Sequence, residues 1–158
     1  MRDKRFVALH RGGPLKKEQH IQLIKWSCLC AEHVLSLFGE KIDERLLHAL
    51  FIAKHWAIGK ATVGDARKAS VAAHAAAREQ SNPVSIAIAR CVGHAVATAH
   101  MADHTLGGAI YALKAVKNAG KSIDDERKWQ NQKLPPEIRE LVLTSRMQKE
   151  QLFKDLRI

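Results

Sequence analysis

Apolar residues along this chain recur mostly three or four positions apart, the spacing that places them on one face of an α-helix. The first run of this kind ends at Gly39. Pro14 lies just before this run and is expected in the first turn of the helix, where the N–H that proline lacks is not needed. No segment shows convincing period-two alternation, so no strand is predicted. The face of this first helix consists of Ile21, Ile24, Cys28, Ala31, Leu35 and Phe38.

Capping residues divide the next part of the chain into three further helices. Asp43 is expected to cap a second helix that ends at Gly59. Thr62 with an acidic residue three positions later resembles a capping box, which opens a third helix through about Glu79. The pair Asn82-Pro83 predicts a fourth helix, because asparagine caps well and proline suits the first helical position.

The C-terminal third of the chain predicts shorter helical segments. Thr105 is expected to cap a fifth helix, although this segment could equally be a kinked continuation of the fourth. Ser122 with Asp125 predicts a short sixth segment. The run Leu134-Pro135-Pro136 interrupts it, and a last amphipathic helix follows.

Together these patterns predict an all-α fold, a single-domain bundle of about five to seven helices over residues 1–158. The stretches ASVAAHAAAR and ARCVGHAVATAH are rich in small residues, so we expect Ala-rich central helices that approach each other closely. Residues 1–13 are expected to form a flexible N-terminal arm. Residues 122–158 are expected to form a C-terminal helical segment packed on the bundle.

Histidines are the most conspicuous chemical groups in the predicted fourth helix. If that helix continues through residue 104, His100 and His104 have the i, i+4 spacing that lets two imidazoles share a zinc ion. A third ligand would have to come from His74, Asp103 or Cys91, and none completes a recognised pattern. His94 would point to another side of the helix. Hydrogen bonding in the core is therefore favoured over a metal site, and no cofactor is expected.

A polar stripe along the third helix suggests a second candidate site. Arg67, Ser70, His74 and Arg78 are neighbours at spacings of three and four. The simpler interpretation is a solvated helix face. The alternative is one half of a cleft that Arg90 and His94 complete. The candidate polar cluster or binding cleft thus consists of Arg67, His74, Arg90, His94, His100 and His104.

Composition narrows the classes of protein to consider. The chain of 158 residues carries 26 Lys and Arg against 16 Asp and Glu, a net charge of +10. Basic residues are scattered and aromatic residues make up only 5%, so charge-driven binding of nucleic acid stays an alternative while specific reading of nucleic acid is not expected. Three cysteines, no apolar run long enough for a membrane span and no secretion signal favour a cytoplasmic protein with free thiols.

Four strings point to a known family. WSCLCAEHVLSLF, DARKASVAAHAAAR, VGHAVATAHMADHTLGGAIYALKAV and DERKWQNQKLPPEIRELV cover most of the chain from about Trp26 to Val142. In this order they resemble the immunity-protein-five-like family of bacterial proteins. The polar positions that take part in the resemblance are Glu32, His33, Arg67, His74, His94, His100, His104, Arg127 and Trp129.

The resemblance implies a small, all-helical, cytoplasmic protein that neutralises a bacterial toxin. The implied mechanism is stoichiometric binding to a cognate toxin protein, so the chain is not expected to be an enzyme, and no catalytic residues are carried over. Two alternatives stay open: a small enzyme or metal-binding protein that uses the histidines, and a basic nucleic-acid-binding protein. A homodimer is a further arrangement that the sequence leaves open.

The basic charge is a departure from what is usual for inhibitors of nuclease toxins. Such inhibitors are commonly acidic, because a negative surface speeds association with a basic enzyme. Either the partner of this chain is not a nuclease of that kind, or the binding patch is locally acidic, for example around Asp124, Asp125 and Glu126. A third alternative is that the immunity function does not apply to this member.

Overall fold

The computed structural model describes residues 2–39 and 41–152, and within these ranges it contains seven α-helices and no strand. The predicted all-α bundle is therefore confirmed. In chain order the helices are α1 (Lys17–Leu35), α2 (Glu44–Ala57), α3 (Val63–Glu79), α4 (Pro83–Ala97), α5 (His104–Asn118), α6 (Ile123–Gln132) and α7 (Pro136–Leu152).

Helix starts follow the capping residues at four of the predicted positions. The carboxylate of Asp43 accepts from the backbone N–H of Arg45 at the start of α2, and Asn82 does the same for Val84 in α4. Thr62 and Asp65 form the reciprocal capping box of α3, with bonds of 2.9 and 3.0 Å. Ser122 caps α6. These contacts satisfy N–H groups that a helix leaves unpaired in its first turn.

The predicted role of Pro14 is wrong, because α1 begins three residues later at Lys17. Pro14 instead lies in a loop closed by backbone hydrogen bonds between its two ends. The N–H of Leu15 donates to Val7 O and the N–H of Leu9 donates to Leu15 O, each at 3.0 Å. The backbone groups around Pro14 are hydrogen-bonded within the loop, so the proline does not begin a helix.

The N-terminal segment differs from the flexible arm expected of residues 1–13. Phe6 is only 1% exposed, and Leu15 is buried with it in the main apolar core. The guanidinium of Arg5 donates to the hydroxyls of Thr144 and Ser145 on α7, at 2.8 and 2.7 Å. Burial of an aromatic ring supplies the free energy that orders such a segment. Residues 2–15 therefore pack against the bundle and are hydrogen-bonded to it.

Helix α4 occupies the middle of the bundle and packs on α3 and α5, with further contacts to α1 and α2. Its buried side consists mostly of small residues, as the sequence indicates, together with Ile88, Val92 and Val96. Helix α3 buries five alanines and packs on α2 and α4, while its opposite side is open to solvent, with Val71 at 67% exposure. The small side chains bring the backbones of α3, α4 and α5 close together, and this closeness shapes the candidate site.

The C-terminal helices are joined to the bundle through buried polar groups. The indole of Trp26 on α1 donates to Gln130 O on α6 at 2.8 Å. The Gln130 side chain donates to Ala109 O on α5 and accepts from the guanidinium of Arg146 on α7, which also donates to Asn131. Four helices therefore meet at one residue, α1 through the backbone carbonyl of Gln130 and α5 and α7 through its amide side chain, and these hydrogen bonds offset the cost of burying the amide.

Candidate functional site

The chain turns between His94 and His104, contrary to the single helix that the sequence analysis considered. Helix α4 ends at Ala97, His100 lies in the following turn, and His104 is the first residue of a separate helix, α5. The i, i+4 argument for His100 and His104 is therefore wrong. Thr105 is not the cap of α5 either, because it lies inside the helix and donates its hydroxyl to Leu23 O at 2.9 Å.

Four imidazoles nevertheless come together at the junction of α3, α4 and α5. Neighbouring ring centroids lie 5.3 Å apart for His74 and His94, 5.3 Å for His94 and His104, and 5.1 Å for His100 and His104. These four residues are called the histidine cluster below. The expectation that His94 lies in a different environment from His100 and His104 is wrong, because the turn after α4 folds the later histidines back onto it.

Hydrogen bonds fix the roles of several ring nitrogens in the histidine cluster. The Arg90 guanidinium lies 2.8 Å from His74 Nδ1, and since arginine can only donate, this nitrogen accepts. His94 Nδ1 and His104 Nδ1 are 3.2 Å apart, so one of them donates and the other accepts. Neither contact is compatible with a fully protonated cluster.

The surroundings lower the pKa values of all four members of the histidine cluster. Burial, together with the nearby Arg90 charge, lowers the pKa of His74 to about 4. Burial and the neighbouring imidazoles of His104 and His74 lower the pKa of His94 to about 3. Burial also lowers the pKa values of His100 and His104. A lowered pKa makes each ring a weaker base than a free histidine, and a neutral imidazole suits hydrogen bonding in a core.

Two glycines make the space that these rings fill. A Cβ atom at Gly93 on α4 would lie 2.6 Å from His74 Nε2. A Cβ atom at Gly107 on α5 would lie 2.7 Å from His94 Nδ1. Each ring thus packs directly against the backbone of the next helix, and the glycines explain how large side chains fit between closely spaced helices.

The residues that could supply a third metal ligand are engaged elsewhere. His74 uses one nitrogen for Arg90, and Cys91 donates its thiol to Gly108 O at 3.1 Å. Asp103 forms an ion pair with Arg2 at 3.7 Å, without a hydrogen bond. Within residues 2–39 and 41–152, no group of three or more His, Cys, Asp or Glu side chains is arranged to hold a metal ion. The geometry of the cluster favours mutual hydrogen bonding.

The other members of the predicted cleft are only partly brought together. Arg90 joins the histidine cluster, but Arg67 is exposed on α3 and reaches the cluster only through its charge, which contributes to the lowered pKa of His100. Ser70 belongs to the stripe expected to be solvated, yet it is buried and donates to Gly93 O at 2.9 Å. The stripe therefore splits into an exposed part and a part that ties α3 to α4.

Another polar contact, which sequence reasoning missed, joins α1 to α6. His33 Nδ1 lies 2.7 Å from Glu126 Oε2, and the His33 ring stacks on Trp129 at 3.5 Å between centroids. Glu126 is only 8% exposed. It therefore does not belong to the exposed acidic patch that was one alternative for residues 124–126. Only a fold could reveal this contact, because 93 positions separate the paired residues.

Sequence reasoning also missed an exposed apolar face on α2. Leu47, Phe51 and Ile58 are 47%, 53% and 62% exposed, and they follow one side of the helix at spacings of four and seven. The His55 ring lies on that side and stacks on Phe51 at 3.8 Å. These four residues are called the α2 apolar face below. The signal is present in the sequence, because the apolar Leu47, Phe51 and Ile58 lie on a different side of the helix from the buried Leu46, Leu50 and Ala53.

A groove of about 570 Å³ connects the α2 apolar face to α1. Ile58 and His55 line one wall and Leu29, 44% exposed, lines the other. Lys25 and Lys54 stand at the edge of the groove, and Lys54 pairs with Glu32 at 3.0 Å. Large exposed apolar side chains beside a groove are typical of a protein–protein interaction surface.

Comparison with known protein families identifies the class of the chain. The family model described as Imm-5 like putative immunity protein matches residues 13–137, and the chain belongs to this family. The earlier resemblance is thus confirmed. No curated protein and no solved structure matches the chain. Among the described residues, no helix is both long and apolar enough to cross a membrane.

Proposed function

We propose that this protein is a cytoplasmic immunity protein that neutralises a bacterial toxin by stoichiometric binding, without catalysis. Membership of the immunity family supports a toxin as the partner. The single structural observation that carries the proposal is the α2 apolar face, whose exposed side chains continue into the groove against α1. This surface is where the toxin binds.

The charge around this surface indicates which kind of toxin surface would be complementary to it. Lys25, Lys54 and Glu32 line the groove, and Lys54 pairs with Glu32, so the remaining charge there is positive and comes from Lys25. Lys60 is exposed just beyond α2, and the whole chain carries a net charge of +10. Opposite charges across an interface speed association and fix orientation. The complementary toxin surface therefore has an apolar centre and carboxylates at its edge. A toxin with such a surface differs from the basic nucleases that acidic immunity proteins inhibit.

The chemistry of the buried groups supports a role without turnover. His74 and His94 are weak bases, and their polar contacts are to Arg90 and His104. General acid–base catalysis works best with a pKa near the working pH. Burial raises the pKa of the Cys28 thiol to about 12 and also raises those of Cys30 and Cys91. These thiols are poor nucleophiles at neutral pH.

The test uses the toxin-like product of a gene next to the one for this protein. A fixed amount of that product is mixed with increasing amounts of this chain, and the remaining toxic activity is measured. Stoichiometric binding predicts that activity falls linearly and vanishes near one equivalent, with a complex of the same ratio on size-exclusion chromatography. Loss of activity at far less than one equivalent would indicate turnover. No complex and no loss of activity would contradict the proposal.

A further inference from the structure

We propose that a pocket under the N-terminal segment binds a small organic carboxylate with an apolar body. The pocket, called the N-terminal pocket below, has a volume of about 230 Å³ and lies between the N-terminal segment, the start of α1, the end of α2 and the turn after α4. It is slightly smaller than the roughly 300–1,000 Å³ of pockets for drug-sized ligands. Its size therefore suits a single ring or a short chain.

The polar lining of the N-terminal pocket is basic. Arg2, Arg11 and Lys17 contribute permanent positive charges, and His10, His20 and His100 complete the polar part of the wall. No Asp or Glu is among the described residues that line it. The Lys17 ammonium lies over the Trp56 ring at 4.1 Å, which holds that charge at the wall of the pocket. A cavity walled by charges of one sign attracts a ligand of the opposite sign.

Two polar atoms of residues that line the pocket are buried without a hydrogen-bond partner. They are Arg2 Nε and His100 Nδ1. Asp103 forms an ion pair with Arg2, but its carboxylate lies 3.7 Å from Arg2 Nε, too far for a hydrogen bond, and Asp103 Oδ1 is likewise buried without a hydrogen-bond partner. Leaving such atoms unpaired is costly, and unpaired atoms in a native protein call for an explanation. A carboxylate oxygen can accept from Arg2 Nε, which always donates, and from His100 Nδ1 in the tautomer that carries its proton there.

The remaining wall is apolar and explains why the ligand needs an apolar body. Phe6 and Leu15 from the N-terminal segment face Trp56 on α2, and Ala99 and Ala102 come from the turn after α4. His20 Nε2 is held by Thr98 O at 2.6 Å, so this ring donates there and is fixed in orientation. An inorganic anion would leave the apolar wall without contacts.

The N-terminal pocket is separate from the surface assigned to the toxin, so the test does not need a toxin. Benzoate is titrated into the ¹⁵N-labelled full chain, and amide shifts are followed by nuclear magnetic resonance. The uncharged benzamide, of nearly the same shape, is the matched ligand control. We expect saturable shifts at residues 99–102 and in the N-terminal segment with benzoate, and much weaker binding of benzamide. Equal shifts with both compounds, or none with either, would overturn the proposal.

Variants distinguish binding of benzoate in a specific site from its general attraction to a basic surface. Arg2→Gln and His100→Ala should each raise the Kd for benzoate by at least about tenfold. Arg139→Gln removes an exposed charge on α7 and should leave that Kd unchanged. If Arg139→Gln weakens benzoate binding as much as Arg2→Gln does, the binding is unspecific and the proposal fails.

A second binding experiment distinguishes two possible sources of the carboxylate. Acetyl-Gly-Phe presents the same chemistry at the end of a peptide, and its Kd is compared with that of benzoate. Tighter binding of benzoate assigns the pocket to a free small acid, and tighter binding of the peptide assigns it to the C-terminus of a protein. Binding of neither compound contradicts the proposed site.

Discussion

The imidazole of His74 fills the space that a side chain at Gly93 would need, since a Cβ there would lie 2.6 Å from His74 Nε2 and 2.7 Å from Cε1. The ring is anchored on its other side by Arg90 at 2.8 Å. Helices α3 and α4 can therefore keep their spacing only if residue 93 has no side chain. The histidine cluster therefore contributes to the packing of α3 against α4.

Gly93→Ala should destabilise the protein by about 1–3 kcal/mol, the usual cost of forcing extra atoms into a packed core. The added methyl group must displace the His74 ring and disturb its bond to Arg90. Urea unfolding measures the change as a lower midpoint at unchanged slope. Gly64→Ala is the matched control, because the nearest atom to its Cβ would lie at 3.6 Å. Equal stability of the two variants would contradict the proposed packing.

Acidification should destabilise the fold through the histidine cluster. The ordinary pKa of histidine is about 6.5, and in the fold the pKa of His94 is about 3 and that of His74 about 4. The unfolded chain therefore binds more protons below about pH 6.5, so stability is full above that pH and falls as the pH drops towards 4.

The contribution of His94 alone to this loss is on the order of 2 kcal/mol between pH 7 and pH 5. Urea unfolding at each pH gives the dependence, which His94→Gln should weaken. His48→Gln changes an exposed histidine and should keep the dependence of the original chain. A His94→Gln protein with an unaltered pH dependence would show that His94 is not the group responsible.

The three thiols should be inaccessible in the folded protein. Cys28, Cys30 and Cys91 are free and buried, and burial raises the pKa of each. Ellman's reagent should therefore react with none of them in the native state and with all three in denaturant. Rapid reaction of one equivalent before unfolding would contradict the burial of that thiol.

Removal of the His33 ring should leave the Glu126 carboxylate buried and without its partner. His33→Ala should cost about 1–3 kcal/mol, the range for an unpaired buried group. The double variant with Glu126→Gln should cost less than the sum of the two single variants, because the charge that needs the partner is gone. Additive costs in urea unfolding would show that the 2.7 Å contact contributes nothing to stability.

Local signals explain the parts of the fold that the sequence predicts well. The capping contacts of Thr62 and Asn82 span only two or three residues, so the sequence contains the whole interaction. The turn after Ala97 has no such signal, because residues 98–103 include neither glycine nor proline. Sequence reasoning therefore continued α4 too far and separated His94 from His104.

Long-range contacts explain the parts that the sequence does not predict. Arg5 meets Ser145 across 140 positions, and this contact helps to hold the N-terminal segment against α7. His20 meets Thr98 across 78 positions at the wall of the N-terminal pocket. Such pairs depend on the packing of whole helices, so residue spacing along the chain does not show them.

The binding surface is the central claim, and isothermal titration calorimetry of the purified toxin-like protein with variants tests it most directly. Phe51→Lys places a charge in the middle of the α2 apolar face, whereas Val71→Lys makes the same kind of change at an exposed position of α3, 67% exposed. The account predicts that Phe51→Lys weakens binding by about 2 kcal/mol or more, the loss expected at the centre of an interface, and that Val71→Lys changes it little. Unchanged affinity with Phe51→Lys, in a protein that folds as stably as the original, would contradict the account.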